Sequence, residues 1–329
     1  MKRHIIVIGA GSIGRRHARL LAERADVAVG LCEPDAAALE RARVETPSAK
    51  TYRTLEEALA ARPAAVVVAT PHHLHAEQTV AALESGAHVL CEKPISDRLE
   101  DALRMREAAQ RAGRVLSIGF HLHFHPGAQR MKELIAGGAL GTVLHAHCRV
   151  GSYITLVNSL SRYQATLEGA LLLDYAHQPD LLVWLLGKRP RGVRMDGITV
   201  GDLEFSSRPN VLSLTLDYDA PLLATVHLNY VQMPERHEYE IAGDRGWLLW
   251  DLSAGRIRIA NRAQQNVVDE PVSTERDPVY RTEHQAFLDA VDGRRRPESP
   301  AEEASVSLAV IQAALASWKE GRRVEVDAV

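Results

Sequence analysis

The chain has 329 residues, of which 46% are hydrophobic and 25% charged, with a formal net charge of −3 when histidine is neutral. That length exceeds one comfortable core and predicts two domains of about 100–200 residues each. The near-neutral balance lacks the basic footprint of a nucleic-acid binder, and the clusters Arg15–His17 and Arg294–Arg296 read as solvated helix or turn surface.

The first strand is "HIIVIG", followed by a helix from about Ser12. Its basic start superficially resembles a signal peptide, but Gly9, Gly11 and Gly14 break the apolar run and Arg15 and Arg16 end it. "VAVGLC" then precedes the helical "PDAAALERARVE", "AAVVVAT" precedes "HLHAEQTVAALESG", "HVLCEKP" precedes "RLEDALRMREAAQRAG", and "RVLSIGF" closes the series. Apolar strands without alternation, separated by helix-length segments, indicate a doubly wound parallel sheet covered on both faces. It is expected to span residues 1–120. Beyond it, residues 121–329 change texture. "PGAQRMKELIAGG" reads as a helix, "TVLHAHCRVGSY" as a strand, and "DYAHQPDLLVWLLG" as a helix stopped by Gly187. "VLSLTLDY", "LLATVHLNYV", "RHEYEIAG", "GWLLWD" and "RIRIA" follow closely, as in an antiparallel sheet, before two closing helices, "EHQAFLDAVDG" and "AEEASVSLAVIQAALASWKEG". The expected fold class is α/β, a Rossmann domain followed by an α+β domain.

Cys32, Cys91 and Cys148 are far apart and form no CxxC, which points to reduced thiols in a cytoplasmic protein without a disulfide frame or zinc site. No apolar run approaches the roughly 20 residues that span a bilayer, so neither membrane nor nucleic acid is an expected partner.

Gly9, Gly11 and Gly14 have G-x-G-x-x-G spacing directly after a strand and at the opening of a helix. The first glycine makes the tight turn, the second lets backbone approach a pyrophosphate, and the third packs helix on sheet. The helix start, Ser12, Ile13 and Gly14, offers free amides to anionic phosphates. Glu33, at the end of the second strand, is placed to accept hydrogen bonds from ribose hydroxyls and to repel a 2′-phosphate, favouring NAD over NADP. Asp35 is the fallback. "ATPHHLHAE" lies at the carboxyl end of a parallel strand, where ligands bind. Thr70, Pro71 and His72 are therefore expected to line the nicotinamide half, with His75 making a local helix-start hydrogen bond and His73 solvated.

"HVLCEKPIS" ends a buried strand with Glu92 and Lys93 in succession, an expensive place for two charges unless they are used. With the glycine fingerprint, "ATPHHLHAE", this segment and "EGALLLDYAHQPDLLVWLLG" in order, the whole chain resembles the Gfo/Idh/MocA oxidoreductase family, the group of glucose–fructose oxidoreductase and inositol dehydrogenase. The resemblance implies a Rossmann domain, then an α+β domain on a large open antiparallel sheet often used for homodimer or homotetramer contacts. It implies NAD(P)-linked oxidation of a sugar, cyclitol or related hydroxyl compound, and a Lys93–Pro94 peptide that is frequently cis. "VGSY" and "DYAHQPD" look most like a branch acting on amino sugars or nucleotide sugars.

On that basis Lys93 is expected near C4 of the nicotinamide, hydrogen-bonded to the reacting hydroxyl, with Glu92 orienting Lys93 or the cofactor. His177 is the expected general base. Asp174, three residues earlier, is expected on the same helical face, orienting substrate or imidazole and also serving as a helix N-cap, with Asp180 continuing the stripe. Many family members separate the aspartate and histidine by four, so His177 is the firmer assignment. His121, His123 and His125 alternate as in an extended segment, but no acidic or cysteine partner has metal-ligand spacing, and no metal is expected. Relatives usually carry an arginine near His123; its loss speaks against an anionic, nucleotide-linked substrate. His121 is expected against nicotinamide or substrate, and Tyr153, Asn158, Arg162, Tyr163 and Gln164 are candidates for substrate contact, Tyr153 and Tyr163 foremost. The alternatives to an NAD-dependent dehydrogenase are a dinucleotide-binding sensor without turnover and NAD-assisted elimination or glycoside hydrolysis without net redox change.

Overall fold

A computed structural model describes residues 2–153, 168–201 and 207–329. The chain divides into two compact units, residues 1–121 with 276–308 and residues 122–275 with 309–329.

The first unit opens with β1 (Arg3–Ile8), α1 (Ser12–Ala22), β2 (Val27–Cys32), α2 (Ala36–Glu45), β3 (Lys50–Tyr52), α3 (Leu55–Ala60) and β4 (Ala65–Val68). It continues with α4 (His75–Glu84), β5 (His88–Glu92), α5 (Leu99–Ala112) and β6 (Leu116–Gly119). The strands form one parallel sheet in the order β3-β2-β1-β4-β5-β6. "AVVV" of β4 is buried at every residue. Such a strand cannot tolerate a solvated face, so helices cover both sides. The order reverses at β1 and β4, which creates a ligand crevice at their carboxyl ends. β3 has no counterpart in the sequence pattern: it is a three-residue edge strand in which only Tyr52 is buried, too short for a periodicity signal.

The second unit contains α6 (Pro126–Ala136), β7 (Val143–Gly151), α7 (Ala170–Asp174), α8 (His177–Leu186), β8 (Gly192–Ile198), β9 (Val211–Asp217) and β10 (Leu223–Asn229). β11 (Arg236–Gly243), β12 (Gly246–Asp251), β13 (Arg256–Asn261) and β14 (Asn266–Pro271) follow, and β15 (Val324–Glu325) comes from the chain's end. Among the described residues nine strands make one sheet, β14-β13-β12-β11-β7-β10-β9-β8-β15. It is antiparallel except that β7 and β10 run parallel, a pairing of distant segments that no local pattern announces. Alternation selects the buried face: Leu212, Leu214 and Leu216 on β9, Ala224, Val226 and Leu228 on β10, and Tyr239 and Ile241 on β11 join Met131, Leu181 and Leu182 in one core.

The closing helices are α9 (Asp277–Val291) and α10 (Ala301–Glu320). By sequence alone both fall in the second domain, 121–329. In the structure Phe287 and Leu288 of α9 pack with Ile5, Val7 and Leu31, while Ala301, Ala304 and Leu308 pack with Val66, Val89 and Ile118. Residues 276–308 thus complete the first unit's core. An amphipathic period shows that a helix buries one face, not which sheet receives it. Among the described residues, no helix is long and apolar enough to cross a membrane.

Candidate active site

The three fingerprint glycines have separable physical reasons. Gly9 has φ +96°, and a Cβ on it would lie 2.7 Å from the Ala69 carbonyl oxygen at the end of β4. A Cβ on Gly14 would collide with the Gly9 carbonyl. Both are required by the fold itself. Gly11 differs: it is the exposed N-cap of α1 with ordinary extended angles, and a Cβ there would meet nothing within 4 Å. Its lack of a side chain leaves a cradle in front of the first turn of α1, where, among the described residues, no side chain caps the amides of Ser12 and Ile13. That geometry fits an anionic pyrophosphate. Glu33 closes the adjoining side. Its Oε2 accepts from the Ala10 amide at 2.9 Å and its Oε1 from the Asp35 amide at 3.1 Å, so the carboxylate is held against the glycine turn. Asp35 is occupied elsewhere, its Oδ1 capping α2 through the Ala38 amide at 2.7 Å.

At the carboxyl ends of β4 and β5, the "ATP" and "EKP" segments are joined by His75. Its ring nitrogens lie 2.9 Å from the carbonyl oxygens of Thr70 and Pro94, a wider role than the local bond expected. Thr70 Oγ1 donates to Gln78 at 2.6 Å, Pro71 leads into a short 3-10 turn at His72–Leu74, and His73 is exposed. The Lys93–Pro94 peptide is cis. Lys93 is half-buried. Burial lowers the pKa of His72, a nearby Asp97 opposes this, and the charges of His73 and Lys93 lower it further. Burial also opposes charge on Glu92, but His17's hydrogen bond and the charges of His17, Lys93 and His121 outweigh it and hold its pKa below the usual carboxylate value. Lys93, His72, Glu92 and His121 therefore share one electrostatic neighbourhood.

Behind Glu92 lies a network that the sequence reading missed. By sequence His17 reads with Arg15 and Arg16 as solvated surface, yet it is 0% exposed. Its Nε2 is 2.9 Å from Glu92 Oε1, and its Nδ1 is 2.7 Å from His284 Nε2 on α9. Tyr280 packs edge-on against His17 and stacks on His121, with ring centroids 5.4 and 5.0 Å apart. The available signal was a histidine on the buried stripe of α1, beside Gly14, Ala18 and Leu21.

In the second unit Asp174 and His177 do not share a continuous helix. Asp174 ends α7, Tyr175 and Ala176 break the helical run, and His177 opens α8. Asp174 is thus no N-cap; Ala176 holds that place. Asp174 instead accepts a 2.8 Å hydrogen bond from Tyr230 OH, a residue not singled out from sequence. Tyr175 bridges the pair by ring contacts of 5.8 Å to both His177 and Tyr230. Asp180 leaves the expected stripe: it is buried and 2.7 Å from His123 Nε2. The three alternating histidines follow a 3-10 turn at His121–Phe124, not an extended segment, and take three tasks. His121 stacks on Tyr280, His123 pairs with Asp180, and His125 caps α6 through Gly127 N–H at 3.1 Å. The Tyr153 amide donates to the Gln232 carbonyl at 3.0 Å. Asn158, Arg162, Tyr163 and Gln164 lie outside the described residues.

Residues 3–120 match the model of an oxidoreductase family with an NAD-binding Rossmann fold, and residues 128–249 match the GFO/IDH/MocA C-terminal domain. The chain belongs to the Gfo/Idh/MocA oxidoreductase family. Its first unit carries that family's NAD-binding Rossmann domain. Among curated relatives, 2,7-anhydro-N-acetylneuraminate hydratase of Escherichia coli is 30% identical over 62% of this chain and 56% of its own length. Inositol 2-dehydrogenase of Corynebacterium glutamicum is 28% identical over 68% of this chain and 66% of its own. The match thus spans less than two thirds of either relative. An oxidoreductase from Agrobacterium radiobacter, solved with NAD+, L-tartaric acid and magnesium, shares the fold with a TM-score of 0.90 over 99% of each chain at 18% identity.

Proposed function

We propose that this Gfo/Idh/MocA protein is an NAD-dependent dehydrogenase that acts on a secondary alcohol, or the corresponding ketone, of a sugar, cyclitol or amino-sugar-like compound. The observation that carries this reading is the Lys93 ammonium at the carboxyl end of β5, in electrostatic range of His72 and Glu92, in the unit that also presents the Gly11 cradle. Bound NAD supplies the hydride acceptor. The chain's own groups handle the proton and the orientation. Lys93 donates a hydrogen bond to the reacting oxygen and steadies its negative charge as the proton leaves. His177 is assigned the proton, and Asp174, oriented by Tyr230, is assigned substrate hydroxyls. Glu33 disfavours a 2′-phosphate and with it NADP. The inositol 2-dehydrogenase relative supports a polyol substrate.

The test is a spectrophotometric screen of the purified protein with NAD against sugars, cyclitols and amino sugars, followed by Lys93→Ala. That variant is expected to keep NAD affinity while turnover falls by roughly 10²-fold or more. Undiminished turnover rejects the role of Lys93. A second reading, transient oxidation with no net redox change, is favoured by the relative named a hydratase. Product formed without accumulating NADH selects it. The family resemblance further assigns self-association through the solvent side of the nine-stranded sheet, whose strands carry exposed Leu223 and Val267 there. Light scattering that gives a monomer at micromolar concentration rejects that assignment.

A further inference from the structure

Glu92 is 6% exposed and is held from two sides. His17 Nε2 reaches its Oε1 at 2.9 Å, and the Lys93 amide donates to its Oε2 at 3.1 Å. Opposite it in the sheet stands Gly119, where an added Cβ would come within 3.3 Å of the carboxyl group, so the side chain has no room to move that way. A second carboxyl, Glu283, lies in the same interior: it is 1% exposed, and neither of its oxygens has a hydrogen-bond partner among the described residues. Burial and the charge of Glu92 push the pKa of Glu283 well above the usual carboxylate value, which favours its neutral acid form. Burial, with His17 and Arg24, pushes His284 well below the usual histidine value, so its ring is neutral.

These states fix one hydrogen-bond direction. Glu92, as carboxylate, only accepts, so His17 donates from Nε2. The 2.7 Å contact between His17 Nδ1 and His284 Nε2 then ties the His17 ring to α9, one nitrogen donating and the other accepting. Glu283 is biased toward its neutral form, and the His17 hydrogen bond keeps negative charge on the carboxyl group whose backbone leads into Lys93.

We propose that His17 and His284 are positioning residues that hold this negative charge on Glu92, beside Lys93, and so bias the bound dinucleotide toward its oxidised form. The physical reason is that oxidised nicotinamide carries a positive charge and the reduced ring does not. A fixed carboxylate in a poorly screened interior therefore raises affinity for NAD+ relative to NADH. The inference rests on dinucleotide binding by this unit, and it extends the site to a helix beyond the contiguous Rossmann segment.

The experiment measures the dissociation constants of NAD+ and NADH for the full chain at pH 7.5 by calorimetry and nicotinamide fluorescence, and takes the ratio of NADH to NAD+. In His17→Met the carboxyl group loses its side-chain donor and keeps only the Lys93 amide, which shifts it toward the neutral acid, and the ratio is expected to fall about fivefold or more. His17→Gln keeps a side-chain N–H and is expected to stay within about twofold of the parent. Glu92→Gln, matched in volume, carries the same expectation where His17→Met does not fold. Combining it with His17→Met should lower the ratio no further, because both changes remove one charge. A purely structural role predicts that both affinities move by a common factor. An unchanged ratio in Glu92→Gln, or additive effects in the double variant, overturns the inference. Failure of the parent to bind either dinucleotide overturns the cofactor reading and this inference with it.

Discussion

Replacing Gly11 by alanine separates what the fold needs from what a ligand needs. Gly11 has φ −66° and ψ −175°, angles open to alanine, and the added methyl meets nothing within 4 Å. Alanine at an N-cap costs about 0.5–1 kcal/mol relative to better caps. Restricting the unfolded chain returns about 0.4–1 kcal/mol. The two nearly cancel, so the melting temperature is expected to move by no more than about 2–4 °C. Dinucleotide affinity, by contrast, is expected to fall at least about tenfold, or ~1.4 kcal/mol, because the methyl group fills the approach to the α1 amides. Thermal melting followed by circular dichroism and NADH fluorescence titration on the same preparation measures both. An alanine variant that binds NADH as tightly as the parent would refute the assignment of this cradle to the pyrophosphate.

Gly14→Ala should behave in the opposite way: its Cβ collides with the Gly9 carbonyl, so α1 must shift off the sheet. A loss of roughly 1–3 kcal/mol in urea unfolding is expected, and a neutral result would sink the packing explanation. The pH dependence of stability should carry a signature of His125, whose pKa burial lowers to about 4 and whose Nδ1 accepts the Gly127 amide. The unfolded chain takes up that proton below about pH 6.5 while the folded chain resists to about 4, so stability is lost as pH falls through that window, at about 1.4 kcal/mol per pH unit. His125→Asn, which retains a capping acceptor, should flatten the slope by that amount; urea midpoints at several pH values that run parallel in both proteins would contradict it. A fragment of residues 1–120 lacks Phe287, Leu288, Ala301, Ala304 and Leu308 from its cores. It is expected to show no cooperative melt, and a sharp transition together with NADH binding would disprove the need for residues 276–308.

The legible parts of this protein were those whose cause is local. Unbroken apolar strands such as "AVVV" imply cover on both faces, and glycines at 9, 11 and 14 imply a turn with a helix behind it. Each follows from backbone geometry over a few residues. What only the tertiary structure decided were partnerships across long stretches of chain. His17 meets a histidine 267 residues away, Asp174 a tyrosine 56 away, and Asp180 a histidine 57 away. The transfer of α9 to the first unit and the break between Asp174 and His177 belong to the same class. Periodicity records which side of an element avoids water, while the identity of the group that covers it is settled by how distant segments pack.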